Sequence, residues 1–94
     1  MRNGVNFDVS GKTAVITGAA GVICGVMACE MAKCGMRVAL LDLFEEKAQK
    51  VADEINAAGG EAMACKADVL DRESLEAARD KVMARFGAID VLVN

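Results

Sequence analysis

The 94 residues, 54% hydrophobic and 27% charged, suffice for one small domain or a piece of a larger one, and are too apolar to stay disordered. The chain has no His, Tyr, Trp or Pro and only three Phe, which excludes Ser-His-Asp or Cys-His catalysis, His-ligated metals and aromatic base-stacking platforms within these residues. With 14 acidic and 11 basic residues, the net charge of −3 argues against nucleic acid or an anionic membrane as the main partner.

Along the chain, short apolar runs alternate with longer amphipathic ones. Ser10-Gly11-Lys12 reads as a turn, and Thr13 to Thr17 as a short strand closed by Gly18. From Val22 to Lys33 the pattern predicts a helix, stopped by Gly35. Arg37 to Asp42 is an apolar strand ending in a carboxylate. Phe44, Ala48, Val51, Ala52 and Ile55 then recur at helical spacing, with Glu46 and Lys50 placed for an outer-face pair, until Gly59-Gly60. Ala62 to Lys66 is a weaker strand candidate leading into Asp68. Asp71 is the expected N-cap of a helix carrying Leu75, Ala78, Val82 and Phe86, which Gly87 stops, and Ile89 to Asn94 is a last strand.

This β-α-β-α-β-α-β order predicts an α/β fold: a Rossmann-like, three-layer α/β/α half with a parallel sheet and right-handed crossovers. Residues 1–94 then read as half of a doubly wound domain.

The four cysteines give little chemistry. Cys24, Cys29 and Cys34 are spaced so that each step turns roughly 140° around a helix, so they cannot share a metal or pair there. With Cys65 they read as reduced thiols of a cytoplasmic protein, and no metal site is expected. Val26-Met27-Ala28-Cys29 has the look of a lipoprotein cleavage box. However, Asp8 lies between Arg2 and Lys12, and Gly18, Gly21 and Gly25 break the apolar run that a signal peptide or membrane span would need.

The candidate site lies at the strand ends. Thr17-Gly18-Ala19-Ala20-Gly21 precedes a helix, and no side chain from 17 to 29 is charged, so backbone N–H groups and the helix N-terminus would form the anion site. The Gly-Lys-Ser/Thr ending of a nucleotide-hydrolysing loop is missing. Tight strand-helix packing would also account for these glycines. Asp42 lies about 24 residues beyond Gly18, at the end of the second strand, where a carboxylate can accept hydrogen bonds from both ribose hydroxyls of a dinucleotide. Its charge would repel a 2′-phosphate, and Leu43, Phe44, Glu45 and Glu46 follow without a cation, so NAD is favoured over NADP. Asp42 also suits a turn or helix N-cap. Asp68-Val69 aligns with the adenine side of the same crevice but also fits a loop before a helix. Asn94 ends the fourth strand and equally suits a turn.

Taken together, Ser10-Gly-Lys-Thr-Ala-Val-Ile-Thr-Gly18, Asp42, Asp68-Val69 and Ile89-Asp-Val-Leu-Val-Asn94 resemble the N-terminal half of the short-chain dehydrogenase/reductase family over nearly the whole chain. The resemblance implies that Thr17-Gly18 and the glycine turn with Gly21 and Ile23 hold the pyrophosphate. It places Asp42, followed by Leu43, at the ribose, Asp68 and Val69 beside the adenine, and Asn94 at the start of a segment next to the cofactor. The family pattern Thr-Gly-x-x-x-Gly-x-Gly would put glycines at 22 and 24, where this chain has Val22 and Cys24; Gly21 and Gly25 sit one place off. Ala20-Gly21-Val22-Ile23-Cys24 resembles the branch that includes D-mannonate oxidoreductase-like proteins.

The family's Ser-Tyr-Lys catalytic set lies beyond position 94, so no catalytic residue is expected here, and the chain alone is expected to be inactive. The implied activity of the intact form is NAD-dependent hydride transfer to or from a carbonyl or secondary alcohol, such as a sugar acid, by a homo-oligomer. The alternative is a stand-alone nucleotide-binding or regulatory module.

Overall fold

Four strands, β1 (Thr13–Thr17), β2 (Arg37–Asp42), β3 (Glu61–Lys66) and β4 (Val91–Val93), pair in parallel in the order β3-β2-β1-β4. Three helices connect them: α1 (Val22–Lys33), α2 (Glu45–Ala57) and α3 (Arg72–Phe86). The computed structural model describes residues 9–18 and 21–93, without the side chains of Val22 and Ile23.

Strand periodicity sorts the core into two layers. Ile16, Val38, Leu40 and Ala62 point to one face and meet Ala28 of α1 and Ala48, Ala52 and Ile55 of α2. Val15, Ala39, Leu41, Met63 and Cys65 point to the other and meet Ala78, Val82 and Phe86 of α3. The first two connections step along the sheet in one direction and the third steps back across it. A constant right-handed crossover then requires α3 on the opposite face, where it is found. The expected three-layer α/β/α arrangement is present.

Local signals set most element ends. The Asp71 carboxylate accepts the Glu73 N–H at 3.1 Å and caps α3, and Gly87 at φ +79° closes it in the left-handed conformation with its N–H on the Met83 carbonyl. Long-range side chains secure the rest. Asn56 of α2 donates to the Ala62 carbonyl at 3.1 Å and accepts the Ala62 N–H at 2.9 Å, serving edge strand β3 as a substitute ladder partner. Arg37 donates to the Phe86 carbonyl at 3.2 Å and pairs with Glu61 at 3.5 Å, joining the end of α3 to the base of the sheet.

Three local expectations are corrected. Phe44 is not on the buried face of α2: it is the N-cap, 61% exposed, with Lys47 Nζ 5.2 Å from the ring centroid. Glu46 and Lys50 form no ion pair among the described residues, and the helical pair that does form on α2 joins Gln49 to Asp53 at 2.9 Å. The fourth strand begins at Val91 rather than at Ile89. The reason is Asp90, whose carboxylate accepts the Thr13 N–H at 2.8 Å while its own N–H donates to the Thr13 carbonyl at 2.9 Å. The side chain takes the place of a ladder bond, so regular pairing starts two residues later than expected, at Val91. Asn94 lies outside the described residues.

Among the described residues β4 is paired only on its β1 side, and Leu92 is 60% exposed. On the α3 face beside it runs a cavity of about 350 Å³ lined by Val15, Leu41, Val69, Leu75, Val82 and Leu92. An apolar edge of this kind favours association. The 94-residue chain in isolation is therefore expected to self-associate in light scattering, and a sharp unfolding transition of a stable monomer would contradict this.

Candidate functional site

Parallel pairing aligns the ends of the strands. Thr17 stands opposite Leu41, Asp42 opposite Lys66, and Ile16 opposite Val93, so Gly18, Asp42 and Asp68 emerge along one edge of the sheet. The strand order reverses between β1 and β4, and a ligand crevice in an open α/β sheet forms at this kind of position. Thr17 Oγ1 donates to the Val93 carbonyl at 3.4 Å, tying the two strands together at that point.

Gly18 leaves β1 at φ +65°, in a left-handed conformation suited to glycine, and its carbonyl accepts the Gly21 N–H at 3.0 Å. Gly21 is extended, at φ −70° and ψ 154°, and is the N-cap of α1. No side chain caps this helix and none in its first turn is acidic. The first intrahelical bond runs from Gly25 N–H to the Gly21 carbonyl at 2.8 Å, so the N–H groups of residues 22–24 precede any intrahelical acceptor. Bare first-turn amides beside a glycine turn fit an anionic pyrophosphate. The Gly21 N–H itself is used inside the turn. Ala19, Ala20 and the Ile23 side chain lie outside the described residues.

Asp42 ends β2, half-buried. Its backbone carbonyl accepts the Ala67 N–H at 3.0 Å and its Oδ1 accepts the Phe44 N–H at 2.8 Å, so it does serve as the turn residue the sequence allowed. Asp68 likewise closes a turn: its Oδ1 accepts the Leu70 N–H at 2.9 Å, and its own N–H is held by Ser74 Oγ at 2.9 Å. Leu43 and Val69 follow these aspartates with half-exposed side chains at 50% and 53%. Both aspartates are thus oriented from below by backbone donors, with apolar groups beside them.

Sequence reasoning passed over Ser74 and Lys66. Ser74, in the first turn of α3, carried a detectable helix-start signal, but its bond reaches back to Asp68 rather than to the cap. Lys66 carried none, because only strand register brings it level with Asp42.

Cys24 and Cys29 are half-buried and Cys34 is exposed. Cys65 is buried, and burial pushes its thiol up, with Lys81 opposing and Glu45 adding to the shift. A thiol held protonated is a poor nucleophile. The described residues of this edge can bind and orient a ligand.

A model of the short chain dehydrogenase family matches residues 12–94. An uncharacterised oxidoreductase, UxuB, from Bacillus subtilis is 55% identical over 87 residues, covering 93% of this chain and 31% of that protein. Among solved structures, a Haemophilus influenzae protein assigned as a D-mannonate oxidoreductase, with bound NAD, matches at 42% identity and TM-score 0.88, over 90% of this chain and 30% of that one. A metagenomic short-chain oxidoreductase in complex with NADP matches at 37% identity and TM-score 0.83, over 92% and 39%. The chain spans about a third of the length of the relatives it matches.

Proposed function

The chain belongs to the short-chain dehydrogenase family, and we propose that it is the N-terminal, cofactor-holding part of the Rossmann domain of an NAD-preferring oxidoreductase. The reaction is hydride transfer to or from a carbonyl or secondary alcohol. A sugar acid is the substrate class suggested by the Haemophilus relative. The observation that carries this reading is the convergence of the bare α1 N-terminus, the Gly18 turn, Asp42 and Asp68 on one edge of the sheet.

In this reading Gly18, Gly21 and the first-turn amides of α1, including that of Ile23, bind the pyrophosphate. Asp42 accepts hydrogen bonds from the ribose hydroxyls, Leu43 and Val69 flank the adenosine, and Asp68 and Asn94 border it. Asp42 has an oxygen committed to the Phe44 N–H, which fixes the carboxylate before ligand arrives. The dinucleotide, when bound, carries the hydride, and the protein supplies binding and orientation. The charge of Asp42 opposes a 2′-phosphate, which is the basis for preferring NAD.

Assembly of the intact protein as a homo-oligomer and a cytoplasmic location belong to the same proposal. Among the described residues no helix is long and apolar enough to cross a membrane.

The test is calorimetric titration of the intact protein with NAD, followed by turnover of aldonic acids. Saturable binding with turnover is the expected result. Saturable binding without turnover of any alcohol or carbonyl would favour a regulatory module, and no dinucleotide binding would overturn the assignment.

A further inference from the structure

The charge argument for NAD rests on the residues that follow Asp42 in sequence, none of which is a cation until Lys47. Strand pairing changes the local charge. Asp42 of β2 is in register with Lys66 of β3, and adjacent strands lie about 4.8 Å apart. Two residues before each, Leu40 belongs to the core cluster facing α1 and α2, and Ala64 packs against that cluster. By alternation, Asp42 and Lys66 therefore share that face of the sheet.

Lys66 is exposed and forms no ion pair among the described residues. It lines a cavity of about 390 Å³ together with Leu43, Phe44, Glu45, Glu46 and Lys47. The charges facing this space are the carboxylates of Glu45 and Glu46 and the ammonium groups of Lys47 and Lys66, and Leu43, which lines it, directly follows Asp42. Lys47 is drawn over the Phe44 ring, whereas Lys66 makes no ring contact among the described residues and ends strand β3. A phosphate on the 2′-oxygen of a ribose held at Asp42 would project into a space with one available ammonium in place.

Resting on the dinucleotide reading above, we propose that Lys66 is a specificity-determining residue of the adenosine site. Its ammonium receives the 2′-phosphate of NADP, so this cofactor is bound despite Asp42, though more weakly than NAD. Asp42 sets the preference and Lys66 limits it. The carboxylates of Glu45 and Glu46 keep Lys66 from reversing it.

The experiment measures equilibrium dissociation constants of NAD and NADP by calorimetry for the intact protein and its Lys66→Gln and Lys66→Arg variants. The ratio of NADP to NAD affinity should fall about tenfold in Lys66→Gln, the loss of one charge-assisted contact. In Lys66→Arg, which keeps the charge, it should stay within about twofold of wild type. Thermal unfolding midpoints equal to wild type will show that the exposed substitution has not altered the fold. An unchanged ratio in Lys66→Gln while NAD still binds would overturn the inference and leave the dinucleotide assignment standing, and so would undetectable NADP binding by a wild type that binds NAD. Failure of the wild type to bind either dinucleotide would overturn both.

Discussion

Replacing Asp42 with Ala in the intact protein should weaken NAD binding by roughly one to two orders of magnitude, since charge-assisted hydrogen bonds contribute about 1.5–3 kcal/mol each. NADP should lose less or gain, because the substitution also removes a like charge from beside the 2′-phosphate. The ratio of kcat/KM for the two cofactors is the direct readout. Asp42 also holds the Phe44 N–H at 2.8 Å, so Ala could act by loosening the turn alone. Asp42→Asn separates the two effects, since it keeps an oxygen for that N–H and removes the charge. If the cofactor ratio shifts in both variants, the carboxylate charge reads the ribose. If neither variant moves the ratio, Asp42 is a turn residue only and the ribose assignment is wrong.

The largest stability effect should come from Leu40→Ala. Leu40 is fully buried in β2, flanked by β1 and β3, in the cluster with Ile16, Ala28, Val38, Ala48, Ala52, Ile55 and Ala62. Several of these neighbours are alanines on helix backbones that cannot move in to fill the space. The cost should fall in the upper part of the range for such truncations, about 3–5 kcal/mol. In an intact protein of a few hundred residues this corresponds to a melting temperature lower by roughly 6–15 °C. Scanning calorimetry would show it, and a shift under about 2 °C would mean that this cluster is not the structural core. Leu92→Ala on half-exposed β4 makes a useful contrast, with a small expected effect.

Much of the architecture is legible in local pattern. The bounds of β1 and β2 follow from short apolar runs closed by Gly18 and Asp42, the end of α1 from Gly35, and the bounds of α3 from Asp71 and Gly87, because these signals act within a few residues of each other. The positions of Gly18, Asp42 and Asp68 at strand ends follow from the same reading, since a parallel sheet with one helix per crossover sends successive strands to the same edge. Asp42 serves the Phe44 amide as the turn residue the sequence allowed, whereas the dependence of Asp68 on Ser74 did not follow.

The remaining features depend on contacts between residues far apart in the chain. Helical spacing placed Phe44 on the buried face, but the helix begins one residue later and the ring lies outside, over Lys47. The apolar pattern predicted a strand from Ile89, but Asp90 bonds both backbone groups of Thr13 and the ladder starts at Val91. A run of apolar residues specifies that a strand forms, not which neighbour it meets or at what register, because pairing energy depends on side chains 24 or more residues away in the chain. Residues 13 to 42 therefore carry the strand-helix-strand unit and its glycine turn locally, while the nearness of Lys66 to Asp42 exists only once β2 and β3 have paired.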